Sequence, residues 1–144
     1  MTDSRKQLAR TERISELENA RLNALIADVV RIDARINEQQ RQIAELQQLR
    51  DRTLTGDERY TVEMLTQNSV WTDGVDRSIE AIRTTIQSLQ GERTKAQQLV
   101  MQQRSRVKGL ETLLESLRFD VKSKAATEQM LIADEKALND YVGR

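Results

Sequence analysis

The sequence predicts an all-α protein, a long antiparallel two-stranded coiled-coil hairpin with unequal arms and a short helical apex. Three observations carry that reading. Between residues 75 and 142, apolar side chains recur in alternate steps of four and three. A shorter run of the same kind occupies residues 22–46. Aromatics are only 3% of the 144 residues and proline is absent, so a bulky globular core is not expected and nothing obliges a helix to break. The whole chain reads as one coiled-coil domain.

The first arm is predicted over about residues 3–52. Its seam runs through Leu22, Leu25, Val29, Ile32, Ile36, Gln39, Ile43 and Leu46. Steps averaging 3.5 residues keep one narrow stripe facing a partner helix. Upstream, Leu8, Ile14 and Leu17 are apolar but sit in a shifted phase, which predicts local over- or underwinding before Leu22. Glu12, Glu16, Glu18, Asp28 and Arg31 fall off the seam and read as solvated faces. After Leu46 the next positions are Arg50 and Thr53, and the stripe fails.

An apex is predicted over about residues 53–74. Thr55 and Glu58 have the spacing of a capping box, so a short helix is expected from about Asp57 to Gln67. Asn68-Ser69 is a turn signal, and Thr72-Asp73-Gly74 offers further cap and breaker residues. The long second helix should then begin within residues 69–75.

The second arm, residues 75–142, steps from Val75 through Ile79, Ile82, Ile86 and Leu89. It continues through Val100, Val107, Leu110, Leu114, Leu117 and Val121 to Leu131, Leu138 and Val142. Arg93, Gln103, Lys124, Glu128 and Glu135 are its polar members. Gly91 and Gly109 lie off the seam; each weakens a helix by roughly 1 kcal/mol relative to Ala without ending it.

Two narrow stripes joined by a short break predict an antiparallel pair, each covering the other. At full helical rise the arms would span about 75 Å and about 105 Å. If Arg50 faces Val75, paired position numbers sum to about 125. Residues beyond Lys122 then overhang, and there the ladder also degrades.

Composition narrows the function classes. Basic and acidic residues balance at 23 each, so no global charge favours nucleic acid or an anionic membrane. Histidine and cysteine are absent, which removes the commonest general base and metal ligands. Carboxylates on an open helical surface have no pocket to shift their pKa values. The reading is a non-enzyme without cofactor or metal. No apolar run is long enough to span a membrane and the polar first residues predict no signal peptide, so a cytoplasmic protein is expected.

Four features resemble one family. The architecture is a single hairpin of two unequal helices. Val70-Trp71 precede the second arm, followed by Ile79, Ile82 and Ile86. Residues Leu110-Glu111-Thr112-Leu113-Leu114-Glu115 form a leucine-and-charge segment. Near the end, Glu128 leads through Met130, Leu131 and Ile132 to Lys136, Leu138, Asp140 and Tyr141. In these features the chain resembles the FliJ/YscO family, the central stalk proteins of bacterial flagellar and virulence type III export ATPases. The resemblance implies a stalk peripheral to a membrane-embedded export apparatus. Its paired termini would enter a hexameric ATPase ring, its other end would reach an export-gate membrane protein, and export chaperones are possible partners. Insertion into the membrane is not implied.

Two surfaces are candidates for those contacts. At the paired termini, Arg5, Lys6, Arg10 and Arg13 on the first arm should lie near Arg118, Lys122 and Lys124 on the second. Beyond them Leu131, Leu138 and Tyr141, with Ile132 and Val142, lack an intramolecular partner. Together these are the candidate ring contacts, set against plain solvated faces and a frayed helix end. At the apex Tyr60, Met64, Leu65, Val70 and Trp71 are the candidate gate contacts, set against a small core that seals the tip. Off-seam Ile26, Val30, Leu49, Leu99, Met101, Leu113 and Phe119 widen the apolar face, as seam edges, a chaperone-type surface or contacts between copies. The alternatives to a stalk are a self-associating structural scaffold and a holdase-type export chaperone.

Overall fold

The computed structural model describes residues 2–54 and 62–143; of Thr2 and Leu54 only the backbone is described. Two long helices pack against each other, and no strand occurs among the described residues. Helix α1 is Thr2–Leu54, 53 residues, and α2 is Val62–Val142, 81 residues. Contacts divide the chain into two compact units. The first holds residues 1–24 and 100–144, and the second holds residues 25–99.

In the second unit the apolar seams meet. Ile36 is buried on α1, and Leu25, Val29, Ile32, Ile43 and Leu46 are half-buried. On α2, Val75, Ile79 and Leu89 are buried, with Ile82 and Ile86 half-buried. Two ion pairs fix direction and register: Arg93 pairs with Asp33, and Arg50 Nη1 donates to Asp76 Oδ1 at 2.7 Å. As the numbers rise on one helix they fall on the other, and equal stretches separate the two pairs. The expectation that Arg50 lies near the level of Val75 therefore holds.

The first unit is also antiparallel. Glu12 pairs with Arg118 at 3.6 Å, and Lys124 Nζ donates to Ser4 Oγ at 2.7 Å. Here α2 buries Val100, Gln103, Val107, Leu114 and Leu117. On α1 the buried residues are Thr11 and Ser15, each 7% exposed. Ile14 is 42% exposed and Leu17 71%.

This corrects the expected phase shift. Stepping back from Leu22 by four and three gives Glu18, Ser15, Thr11, Leu8 and Ser4, and all five are buried or half-buried. The seam runs on unbroken through polar residues, and Glu18 belongs to it. Likewise, the seam continues past Leu46 to half-buried Arg50 and Thr53. The reason is that neither hydroxyl helix residue lacks a local partner. Thr11 Oγ1 donates to the Gln7 carbonyl at 2.8 Å, and Ser15 Oγ accepts from Asn19 Nδ2 at 3.4 Å. Burying a satisfied hydroxyl costs far less than burying a bare one. Slipping the helix phase would sacrifice the apolar contacts from Leu22 onward.

The start of α2 is corrected as well. The helix begins at Val62, ahead of the expected 69–75, and passes through Asn68-Ser69 and Thr72-Asp73-Gly74 without a break. These residues lower helix propensity, but none removes a backbone donor as proline does. Gly74 has no positive φ, and its carbonyl accepts from Ser78 Oγ at 3.1 Å. The expected Thr55–Glu58 capping box and the first residues of the short helix at Asp57 lie outside the described residues.

Candidate partner-binding sites

The pairing of Ser4 with Lys124 and of Glu12 with Arg118 sets the level of every basic residue in the first unit. It brings Arg5, Lys6, Arg10 and Arg13 to the same end as Arg118, Lys122 and Lys124. All seven are exposed. Arg118 is engaged by Glu12, and Lys124 by Ser4; Arg5, Ser4, Val121, Lys124 and Ala125 line a small cleft there. Among the described residues, Arg5, Lys6, Arg10, Arg13 and Lys122 form no ion pair. Exposed Asp3, Glu16, Glu115 and Asp120 stand at the same end, so its excess positive charge is small, and it can attract an acidic surface within about a Debye length.

Past this end the character of α2 changes. Ala125 is half-buried, and every described residue from Ala126 to Gly143 is exposed. Leu131, Leu138 and Tyr141 are all exposed, as are Met130, Ile132 and Val142. The stretch is acidic, with Glu128, Asp134, Glu135 and Asp140 against Lys136.

At the other candidate surface, Tyr60 lies outside the described residues. Met64, Leu65, Val70 and Trp71 are exposed on the first turns of α2. The alternative of a small sealing core includes Tyr60 and so lies partly outside the described residues. Because α2 starts at Val62, its inward face here runs through Asn68, Thr72 and Val75; the next step back is Leu65, and Val70 and Trp71 fall beside that face.

A third surface went unrecognised as such in the sequence. Ile14, Leu17 and Leu113 (44% exposed) each immediately precede a seam residue, Ser15, Glu18 and Leu114. In an antiparallel pair, residues one before the seam lie on the same edge of both helices. Arg10 and Arg106 hold equivalent places on that edge, before Thr11 and Val107. The available signal was the ladder itself: stepping back from Leu22 would have placed Ile14 and Leu17 outside it. Nearby, the seam is pinned by a polar contact. Gln103 Nε2 donates to the Glu18 carbonyl at 2.9 Å and also to its carboxylate, and Arg106 lies 3.9 Å from that carboxylate.

No group of acidic residues able to hold a metal occurs among the described residues. A groove in the second unit, lined by Arg31, Arg35, Glu92 and Lys95 among others, is shallow and open. Hydrogen bonds from Arg41 (Nε to Glu38 Oε2, 3.0 Å) hold the Glu38 carboxyl below the usual range. That pair is exposed on one helix face and marks no pocket. No described helix is long and apolar enough to cross a membrane. In comparisons with known proteins, the chain matches no family model, no curated protein and no solved structure.

Proposed function

We propose that the chain is a non-enzymatic stalk, or coupling subunit, of a type III protein-export ATPase. In this reading the two helices form an antiparallel coiled-coil hairpin of unequal arms. The paired end, with the longer arm beyond it, enters the ATPase ring, and the apex around Met64, Leu65, Val70 and Trp71 faces the export gate. An asymmetric two-helix stalk touches the subunits of a symmetric ring unequally, so it biases their conformations in turn. The observation that carries the reading is the junction at Ser4 and Lys124. Exposed cations there give way to an exposed helical stretch bearing Leu131, Leu138 and Tyr141. The resemblance of the Glu128–Tyr141 segment to the FliJ/YscO family supplies the partner.

Hydrolysis by a hexameric export ATPase, with and without the chain, tests the reading. The expected result is stimulation that is lost when Arg10, Arg13, Lys122 and Lys124 are replaced together. Stimulation that survives those replacements removes the assigned grip, and no stimulation of any export ATPase removes the stalk. The exposed off-seam residues Val30, Leu49, Leu99 and Met101 favour a holdase as second reading. It predicts suppressed client aggregation with no ATPase present.

A further inference from the structure

Two features of the first unit fit each other. One is the edge where Ile14, Leu17 and Leu113 stand in water beside Arg10 and Arg106. The other is the exposed stretch after Ala125, where Leu131, Leu138 and Tyr141 alternate with Asp134 and Glu135. One is apolar and basic, the other apolar and acidic. We infer that the 126–142 stretch of one copy docks on the Ile14/Leu17/Leu113 edge of a second copy, reciprocally, forming a two-fold dimer.

The register follows from where internal pairing stops. Among the described side chains, Lys124 is the last on α2 that bonds to α1, through Ser4. Two copies arranged head to head with their Ala125 residues at one level each place the exposed stretch of one beside the edge of the other. Counting outward in opposite directions from that level, Leu138 of one copy meets Leu113 and Ile14 of its mate. Asp134 and Glu135 come within about 8 Å of the level of Arg10 along the axis, inside the reach of these long side chains. Tyr141 comes level with Leu17 and with Gly109, where a side-chain carbon would meet nothing within 4 Å, leaving room for a ring. The two-fold makes both contacts identical, as a self-complementary interface requires.

Each strip would be about 27 Å long and about 10 Å wide, so two reciprocal strips bury roughly 1,000 Å² in all. That is the lower bound for a specific interface, and the dimer should be weak and concentration-dependent, on the order of micromolar or weaker. The inference does not rest on the stalk reading. A failed ATPase assay leaves it intact, whereas a real dimer would cover the ring-facing surface until a ring displaces the second copy.

Cysteine pairs test it cleanly, because the chain contains no cysteine. Within one molecule, positions 113 and 138 lie on one helix about 37 Å apart, far beyond disulfide reach. Full-length Leu113→Cys mixed with full-length Leu138→Cys should give a disulfide-linked heterodimer under mild oxidation. Leu138→Cys mixed with Leu49→Cys, an exposed control, should not. Sedimentation over a concentration series should show the mass rising from one chain to two. Arg10→Glu and Glu135→Arg should each lower self-affinity about tenfold, and both in one chain should restore it. A mass of one chain at every concentration, equal cross-linking to the control, or no rescue in the charge swap would each overturn the inference. So would cross-linking of Leu138→Cys to an export ATPase in place of a second copy.

Discussion

The two units solve the same packing problem with different materials. In the second unit α1 offers Leu25, Val29, Ile32, Ile36, Ile43 and Leu46 to an equally apolar α2 face. In the first, the same helix offers Ser4, Thr11, Ser15 and Glu18 to Val107, Leu114, Leu117 and Val121. Yet Thr11 and Ser15 are as buried as Ile36, at 7% against 8%. Burial along α1 is therefore set by helical phase and not residue by residue by hydrophobicity. The apolar run downstream fixes which face points inward, and the polar residues upstream follow because the helix is continuous.

If so, the largest loss should come where both seams are apolar. Ile79→Ala, at a position 3% exposed, should cost about 2–4 kcal/mol by chemical denaturation. Thr11→Ala should cost under about 1 kcal/mol, because Thr11 contributes little apolar area. Equal costs would dissolve the contrast between the units.

The phase itself can be broken next. Ser15→Lys forces a long charged side chain into a position only 7% exposed and should cost roughly 1–3 kcal/mol. Leu17→Lys, two residues on, should change the stability of dilute protein by less than about 0.5 kcal/mol. The reverse order would restore the shifted phase that the apolar pattern alone suggests. Gln103→Ala removes the donor to the Glu18 carbonyl and carboxylate, and a loss of about 1–2 kcal/mol is expected. Hydrogen exchange at amides 4–18 should then quicken more than at 25–50.

Smaller effects sharpen the picture without altering the seam. A side-chain carbon at Gly91 meets nothing within 4 Å, and the residue has no positive φ. Gly91→Ala should therefore stabilise by about 0.5–1 kcal/mol, read as a raised thermal midpoint. The smallest effect belongs to Glu38. Its folded-state pKa is lowered by hydrogen bonds from Arg41. Its contribution is thus present above the unfolded pKa and lost as pH falls through the folded one. The pair is exposed, so Glu38→Gln should lower the melting midpoint only slightly at neutral pH. The difference should vanish in acid. A difference growing in acid would reverse the assigned sign.

The second unit was legible because periodicity and hydrophobicity agree there: Val75, Ile79 and Leu89 were picked out by spacing and type together. The candidate sites were half legible. The basic end followed once the register was known, and the register needed only the assumption that two stripes cover each other. Ile14 and Leu17 were misread because apolar residues upstream of Leu22 were taken as seam by default, so their shared edge with off-seam Leu113 went unseen. The start of α2 was misread because Asn68, Ser69 and Gly74 weaken a helix statistically but remove no hydrogen bond.

The sequence alone determined that two long helices form and that they pack against each other antiparallel. Those properties follow from spacing and from the absence of proline, both local. Which face of α1 turns inward near Thr11 and Ser15 was decided only by the tertiary structure. Helical phase is cooperative over the whole element, so the contacts made by Leu22, Val29 and Ile36 choose the orientation of residues several turns away.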